Sequence, residues 1–286
     1  MVNRKIKFFL EKKIKFVCDS EMESLKPGNV HKFAVGHDMT VNDFLKSSLI
    51  ISKCLTKNNA RLGTKILNSV KEIKKKVKKN TNLGIILMIS PIVSVILKEG
   101  EISKKDLSIK INSLIKKQSV KDSIPIYKAI SIISPGGLGS SKKYDVNKTP
   151  KINLYKAMEF SKNKDLIAKQ YCNGYKDIFK IGIPAYKKFY NKWGKVNWAL
   201  TGVYLTFLGK FNDSHIMRNK GNRTAINVRN EAKKYYYFLK DNKNIAKIKK
   251  KLLFFDKKLK SRGINPGTTA DLTIATLFFD IVTKKQ

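Results

Sequence analysis

From Val41 to Ala60, Phe44, Leu45, Ser48, Leu49, Ser52 and Leu55 recur at intervals of three and four, which lays one core-facing stripe along a helix. The same spacing predicts further helices over about 61–79, 82–98, 104–117, 120–133, 152–163, 165–180, 195–209, 224–239, 244–261 and 269–283. Four starts carry a Ser or Thr three residues before an acid: Thr40/Asp43, Ser103/Asp106, Ser119/Asp122 and Thr268/Asp271. In such a box the two side chains satisfy backbone N–H groups that the first helical turn leaves unpaired. No stretch sustains a two-residue alternation, and no Asn-Gly or Asp-Gly turn lies between β-branched runs. The expectation is an all-α, single-domain multi-helix bundle over 1–286, with active-site loops at helix N-termini. The Pro-Gly-Gly-Leu-Gly-Ser-Ser stretch at 135–141 is the one marked break, read as joining two halves of one helical body.

Composition changes this picture in one respect. Sixty Lys and Arg against 21 Asp and Glu give a formal charge of +39, which suits anionic ligands, from nucleotides to RNA. The basic residues are mostly lysine and spread along the chain, without an Arg-rich arm, recognition-helix motif or zinc spacing. A lysine-coated surface is the simpler reading, and nucleic acid is not the expected partner. Cys18, Cys54 and Cys172 are too few and too scattered for a disulfide framework. The N-terminal apolar runs are too short for a signal peptide. Leu83–Leu97, with Pro91 inside it, falls short of a membrane span. A cytoplasmic location with no membrane partner is expected.

Chemistry has few places to sit. The Gly136–Gly139 loop lacks the lysine of a P-loop, and neither a nucleophile elbow nor a multi-histidine metal motif occurs. Polar clusters remain at predicted loop-to-helix junctions: Lys26–Asp38, Asn80–Gly84, Gly136–Val146, Asp165–Tyr171, Asp213–Gly221 and Asn265–Asp271. Helix N-termini attract phosphate, and acids beside them can hold a magnesium ion that bridges phosphates. Each cluster also has a structural explanation. Asp43 and Asp271 can be caps, Gly267 a turn glycine with positive φ, and Asp213 with Arg218 and Lys220 a surface ion-pair group.

Taken together, Lys26-Pro-Gly-Asn-Val30, Asp38, Phe44–Ser47, Asn80-Thr-Asn-Leu-Gly84, Asp213-Ser, Arg218–Gly221 and Asn265-Pro-Gly-Thr-Thr-Ala-Asp-Leu272 resemble the triphosphoribosyl-dephospho-CoA synthase family. Tyr144–Val146 and Asp165–Tyr171 resemble its archaeal-type branch. The resemblance implies an all-helical transferase that moves the triphosphoribosyl part of ATP to the 2′-hydroxyl of 3′-dephospho-CoA and releases adenine. It places the product in a prosthetic-group pathway that serves an acyl-carrier protein, and it implies Mg²⁺ as cofactor. On that basis Asp38 and Asp213 are expected as metal ligands or general base, with Asp271 as a third acid. Lys26, Arg218 and Lys220 are expected to hold phosphates, and Gly28 and Gly267 to let the backbone approach them. Asn80, Asn82 and Gln170 are candidates for base or ribose hydrogen bonds; Asn29 and His37 complete the substrate-binding set.

The chain departs from the bacterial pattern in having Thr81-Asn82-Leu83-Gly84 where those enzymes have Thr-His-Lys-Gly. Two alternatives therefore stand beside the leading one. One is a ribosyl- or nucleotidyl-type transferase of the same fold with another acceptor. The other is a non-enzymatic, basic RNA-binding helical protein.

Overall fold

The computed structural model describes residues 4–34, 40–78, 82–141 and 143–283. It is 75% helical, and no strand occurs among the described residues. In chain order the helices are α1 (Arg4–Glu23), α2 (Val41–Leu55), α3 (Leu62–Lys76), α4 (Leu83–Glu99), α5 (Lys104–Lys116), α6 (Val120–Ile133) and α7 (Leu154–Ser161). They continue with α8 (Leu166–Asn173), a π-helical turn (Ile178–Gly182), α9 (Ile183–Trp193), α10 (Val196–Lys210), α11 (Ser214–Lys220), α12 (Asn222–Asp241), α13 (Ile245–Ser261) and α14 (Gly267–Val282).

Three of the expected caps form. Thr40 and Asp43 exchange side-chain-to-backbone bonds at the head of α2, Ser119 and Asp122 do the same for α6, and Ser103 caps α5. The fourth does not. α14 begins at Gly267, so Asp271 lies in its second turn and its carboxylate is free for other work.

Helices α4, α10 and α14 are apolar nearly all round, the composition of helices enclosed on every side. α14 packs on α1, α4 and α10, and the other helices surround this centre. No single helix is long and apolar enough to cross a membrane. Pro91 lies inside α4 and cannot donate to the Leu87 carbonyl one turn back. The Tyr171 hydroxyl donates to that carbonyl instead (2.6 Å), and Tyr175 donates to Met88 O (2.8 Å). The proline break thus ties α4 to α8 and holds the head of α4 in place.

The α1 helix is absent from the sequence expectation, because its lysines hide a narrow stripe of Leu10, Ile14, Val17 and Cys18, all buried. That stripe continues one turn further to Glu21, also buried. A charged residue in line with a core stripe is exceptional unless it is paired.

Candidate active site

Glu21 finds its partner five residues on. Lys26, fully buried, donates its Nζ to Glu21 Oε1 at 3.0 Å. Burial pulls the Lys26 ammonium below its usual pKa, and Glu21 and Asp271 oppose that pull. The other oxygen, Glu21 Oε2, is buried and has no hydrogen-bond partner among the described residues.

The residues after Lys26 form a tight turn. Asn29 N–H donates to Lys26 O (2.9 Å), with Pro27 and Gly28 between them and Gly28 at φ +85°. This is the Pro-Gly pattern of a type II turn. Gly28 N–H donates to Asp256 Oδ1 (2.8 Å), His31 Nε2 lies 3.1 Å from the same atom, and Lys260 pairs with Asp256 Oδ2 at 3.0 Å. Burial works to raise the Asp256 pKa, but these donors outweigh it and hold the carboxylate low. Tyr204 donates to Pro27 O, and Asn29 Nδ2 donates to Asn265 Oδ1 (2.7 Å). The turn is thereby fastened to the loop that opens α14.

Asp213 caps α11 through Ile216 N–H (3.0 Å), and its second oxygen accepts from both the N–H and the hydroxyl of Thr269, each at 2.7 Å. Asp165 caps α8 at Ala168 N–H and pairs with Arg218 Nη1 at 2.6 Å, while Ser214 accepts from Leu166 N–H. His215 Nδ1 lies 2.8 Å from Asn265 O. The starts of α8, α11 and α14 are locked together by these bonds.

A cavity of about 790 Å³ opens between these helix starts. Its polar end is walled by Glu21, Asn82, Asp165, Arg218 and Asp271, with Asn29, His215, Asn265 and Gly267 beside them. Leu87, Ile130, Leu138, Tyr144, Met158 and Phe160 make an apolar arm, with the Tyr144 and Phe160 rings edge to face. Gly84 is packed tightly on Asp271 at the first turn of α4. Burial pushes the Asp271 carboxyl well above its ordinary pKa, and the nearby carboxylates of Glu21, Asp213 and Asp165 push it further. Besides Glu21 Oε2, the wall carries buried atoms on Asn82, Tyr127 and Arg218 that have no hydrogen-bond partner among the described residues.

Among the expected site residues, the structure brings Asn29, Asn82, Arg218, Gly267 and Asp271 to the cavity. Asp38, His37 and Asn80 lie outside the described residues. Several expected roles are corrected by position. Asp213 is behind the wall with both oxygens taken by protein donors, so it acts as a strut between α11 and α14. Gln170 is fully buried and spends its amide on Asp177. Lys220 is exposed on the outside, near Gly263. Gly28 faces Pro266, and its N–H serves Asp256 instead of a phosphate. Gly267 is the first residue of α14 and does not have positive φ. Lys26 reaches the site through Glu21. Glu21 itself was missed; its only sequence signal is its phase on the α1 stripe.

An all-helical body with acids and bases gathered at helix starts around one cavity has the build of a small-molecule transferase. The sequence profile of the family described as CitG, ATP:dephospho-CoA triphosphoribosyl transferase, matches residues 17–286, so the chain belongs to that family and to its reaction, transfer of the triphosphoribosyl group to dephospho-CoA. A crystal structure from Archaeoglobus fulgidus, provisionally assigned as a triphosphoribosyl-dephospho-CoA synthase, shares the fold with a TM-score of 0.64 and 22% identity. The match covers 85% of this chain and all of that one. No curated protein sequence is detectably similar to the chain.

Proposed function

We propose that the cavity binds ATP at its polar end, with Glu21, Lys26 and Asp271 as the working group, and takes the acceptor along its apolar arm. The observation that carries this reading is the buried Glu21 oxygen left without a donor beside a second, proton-retaining carboxyl, Asp271. A carboxyl that its surroundings dispose to keep a proton, set beside a carboxylate oxygen open to a ligand, is a usual arrangement for acid–base work.

Cleaving the bond between ribose and adenine develops positive charge on the sugar ring, which nearby carboxylates stabilise. Burial and the neighbouring carboxylates dispose Asp271 to hold a proton, which it can give to a ring nitrogen of adenine as that base leaves with the bonding electron pair. The 2′-hydroxyl of the acceptor then bonds to the anomeric carbon, and its proton returns to Asp271. Arg218, whose Nε has no partner among the described residues, and the N–H groups of Gly267 and Thr268 at the start of α14 suit the triphosphate.

Magnesium typically takes only one or two protein carboxylates when phosphates supply its remaining ligands. No cluster of three His, Cys, Asp or Glu suited to a metal occurs among the described residues. Glu21 Oε2 fits such an ion, whose contribution when bound would be to neutralise triphosphate charge. The acyl-carrier pathway follows from the family resemblance alone.

The test is incubation with ATP, Mg²⁺ and dephospho-CoA, following free adenine. Adenine release that depends on dephospho-CoA and falls about 10²- to 10⁴-fold in Asp271→Asn, as loss of an acid–base group does, is the expected result. Release of ADP or pyrophosphate in place of adenine would overturn the reading.

A further inference from the structure

We infer that Asn82 reads the adenine base of the donor and excludes 6-oxo purines; this rests on the cavity being the ATP site. Asn82 is only 9% exposed, yet neither Oδ1 nor Nδ2 has a hydrogen-bond partner among the described residues. It holds the N-cap position of α4, where asparagine ordinarily accepts a bond from its own helix. Here the backbone is left-handed (φ +65°, ψ 15°) and no such cap bond forms. Asparagine tolerates this conformation better than most residues. The result is a donor and an acceptor side by side on the cavity wall, both withheld from the protein.

Leaving such atoms buried and unpaired is costly, so a ligand that pairs both is strongly favoured. A phosphate accepts only and would leave the amide oxygen orphaned. Adenine offers its N6 amino donor next to a ring-nitrogen acceptor on either exposed edge, the pattern an asparagine amide meets with two bonds. Asparagine reads adenine at the N6/N7 edge, where a 6-oxo purine presents two acceptors and so loses one of the two bonds. Leu83, next in the chain and also on the cavity wall, supplies apolar surface for a ring face.

The experiment compares binding of ATP and inosine triphosphate by calorimetry to the wild-type protein, Asn82→Ala and Asn82→Gly. Glycine adopts the left-handed backbone freely, so it guards against a folding artefact. The wild type is expected to prefer ATP by about ten- to a hundredfold, and both variants to lose most of that preference, chiefly through weaker ATP binding. The melting temperature of unliganded Asn82→Gly should barely move, since no hydrogen bond is lost. A wild type without preference, or variants that keep it, would overturn the inference. Glu21→Gln and Arg218→Ala separate the two levels. If they weaken both nucleotides while Asn82 variants keep the preference, only the role of Asn82 fails. If they leave ATP binding untouched, the cavity is not the ATP site and both readings fail.

Discussion

A β-carbon added to Gly84 would lie 1.9 Å from Asp271 Oδ2, so the first turn of α4 and the second turn of α14 meet with no room for a methyl group. Glycine at this point is what lets the carboxyl sit on the cavity wall. An exposed helix would gain about 1 kcal/mol from Gly→Ala. Here Gly84→Ala must push Asp271 aside. We expect a turnover loss on the order of 10²-fold, the usual consequence of an ångström of misplacement. Steady-state adenine release checks this, and unchanged turnover would show that Asp271 needs no fixed position.

Asp271→Asn should make the protein more stable while removing activity. The folded state raises the Asp271 pKa, so above the unfolded value near 4 the folded protein binds more protons than the unfolded one. Stability contributed by this residue therefore falls as pH rises from about 4 towards the folded pKa. Each tenfold change in proton affinity is worth about 1.4 kcal/mol. The neutral isostere avoids that penalty and should gain stability at pH 8 and little near pH 4. Urea melts of both proteins at the two pH values test the sign.

Asp213→Ala is expected to behave in the opposite way. It strands Ile216 N–H and both donors of Thr269 in a buried place, a cost of about 3–5 kcal/mol. Thermal melting reads the loss directly. A variant with normal stability and no turnover would return Asp213 to the catalytic role its sequence context suggests.

Gly28→Ala should destabilise through the turn. Its φ of +85° costs an L-residue about 1–2 kcal/mol, and the new carbon would meet Pro266 Cδ at 2.8 Å and Ile264 O at 3.0 Å. The N–H to Asp256 is at risk in the same step. A loss on the order of 3 kcal/mol in denaturant, with the greater relative effect on ATP binding because Asn29 faces the cavity, is the expected outcome.

The helices were legible wherever the apolar period was clean, as in α2, α6 and α14. Their caps were legible where Ser or Thr stood at the true boundary. α1 was not, since five scattered lysines and the exposed rings of Phe8, Phe9 and Phe16 blur the buried line of Leu10, Ile14, Val17, Cys18 and Met22. Asp271 was read as a capping acid because Thr268 stands three before it; Pro266 moves the helix start and frees the carboxyl. Asp213 misled for the converse reason: a carboxylate at a helix mouth looks available until a second helix start, at Thr269, claims its other oxygen. Glu21 lay outside every recognisable motif. Its importance depends on Lys26 and Asp271 being brought to it, which is a property of packing and not of local sequence.

The cavity draws its polar wall from α1, α4, α8, α11 and α14, with Asp165 and Asn82 at the mouths of two of them. A partly assembled chain therefore owns no fraction of the site. If the cavity is the nucleotide site as proposed, nucleotide capture would report that the earliest and latest of these segments have docked, and a saturating ligand would guard against stepwise fraying at either one.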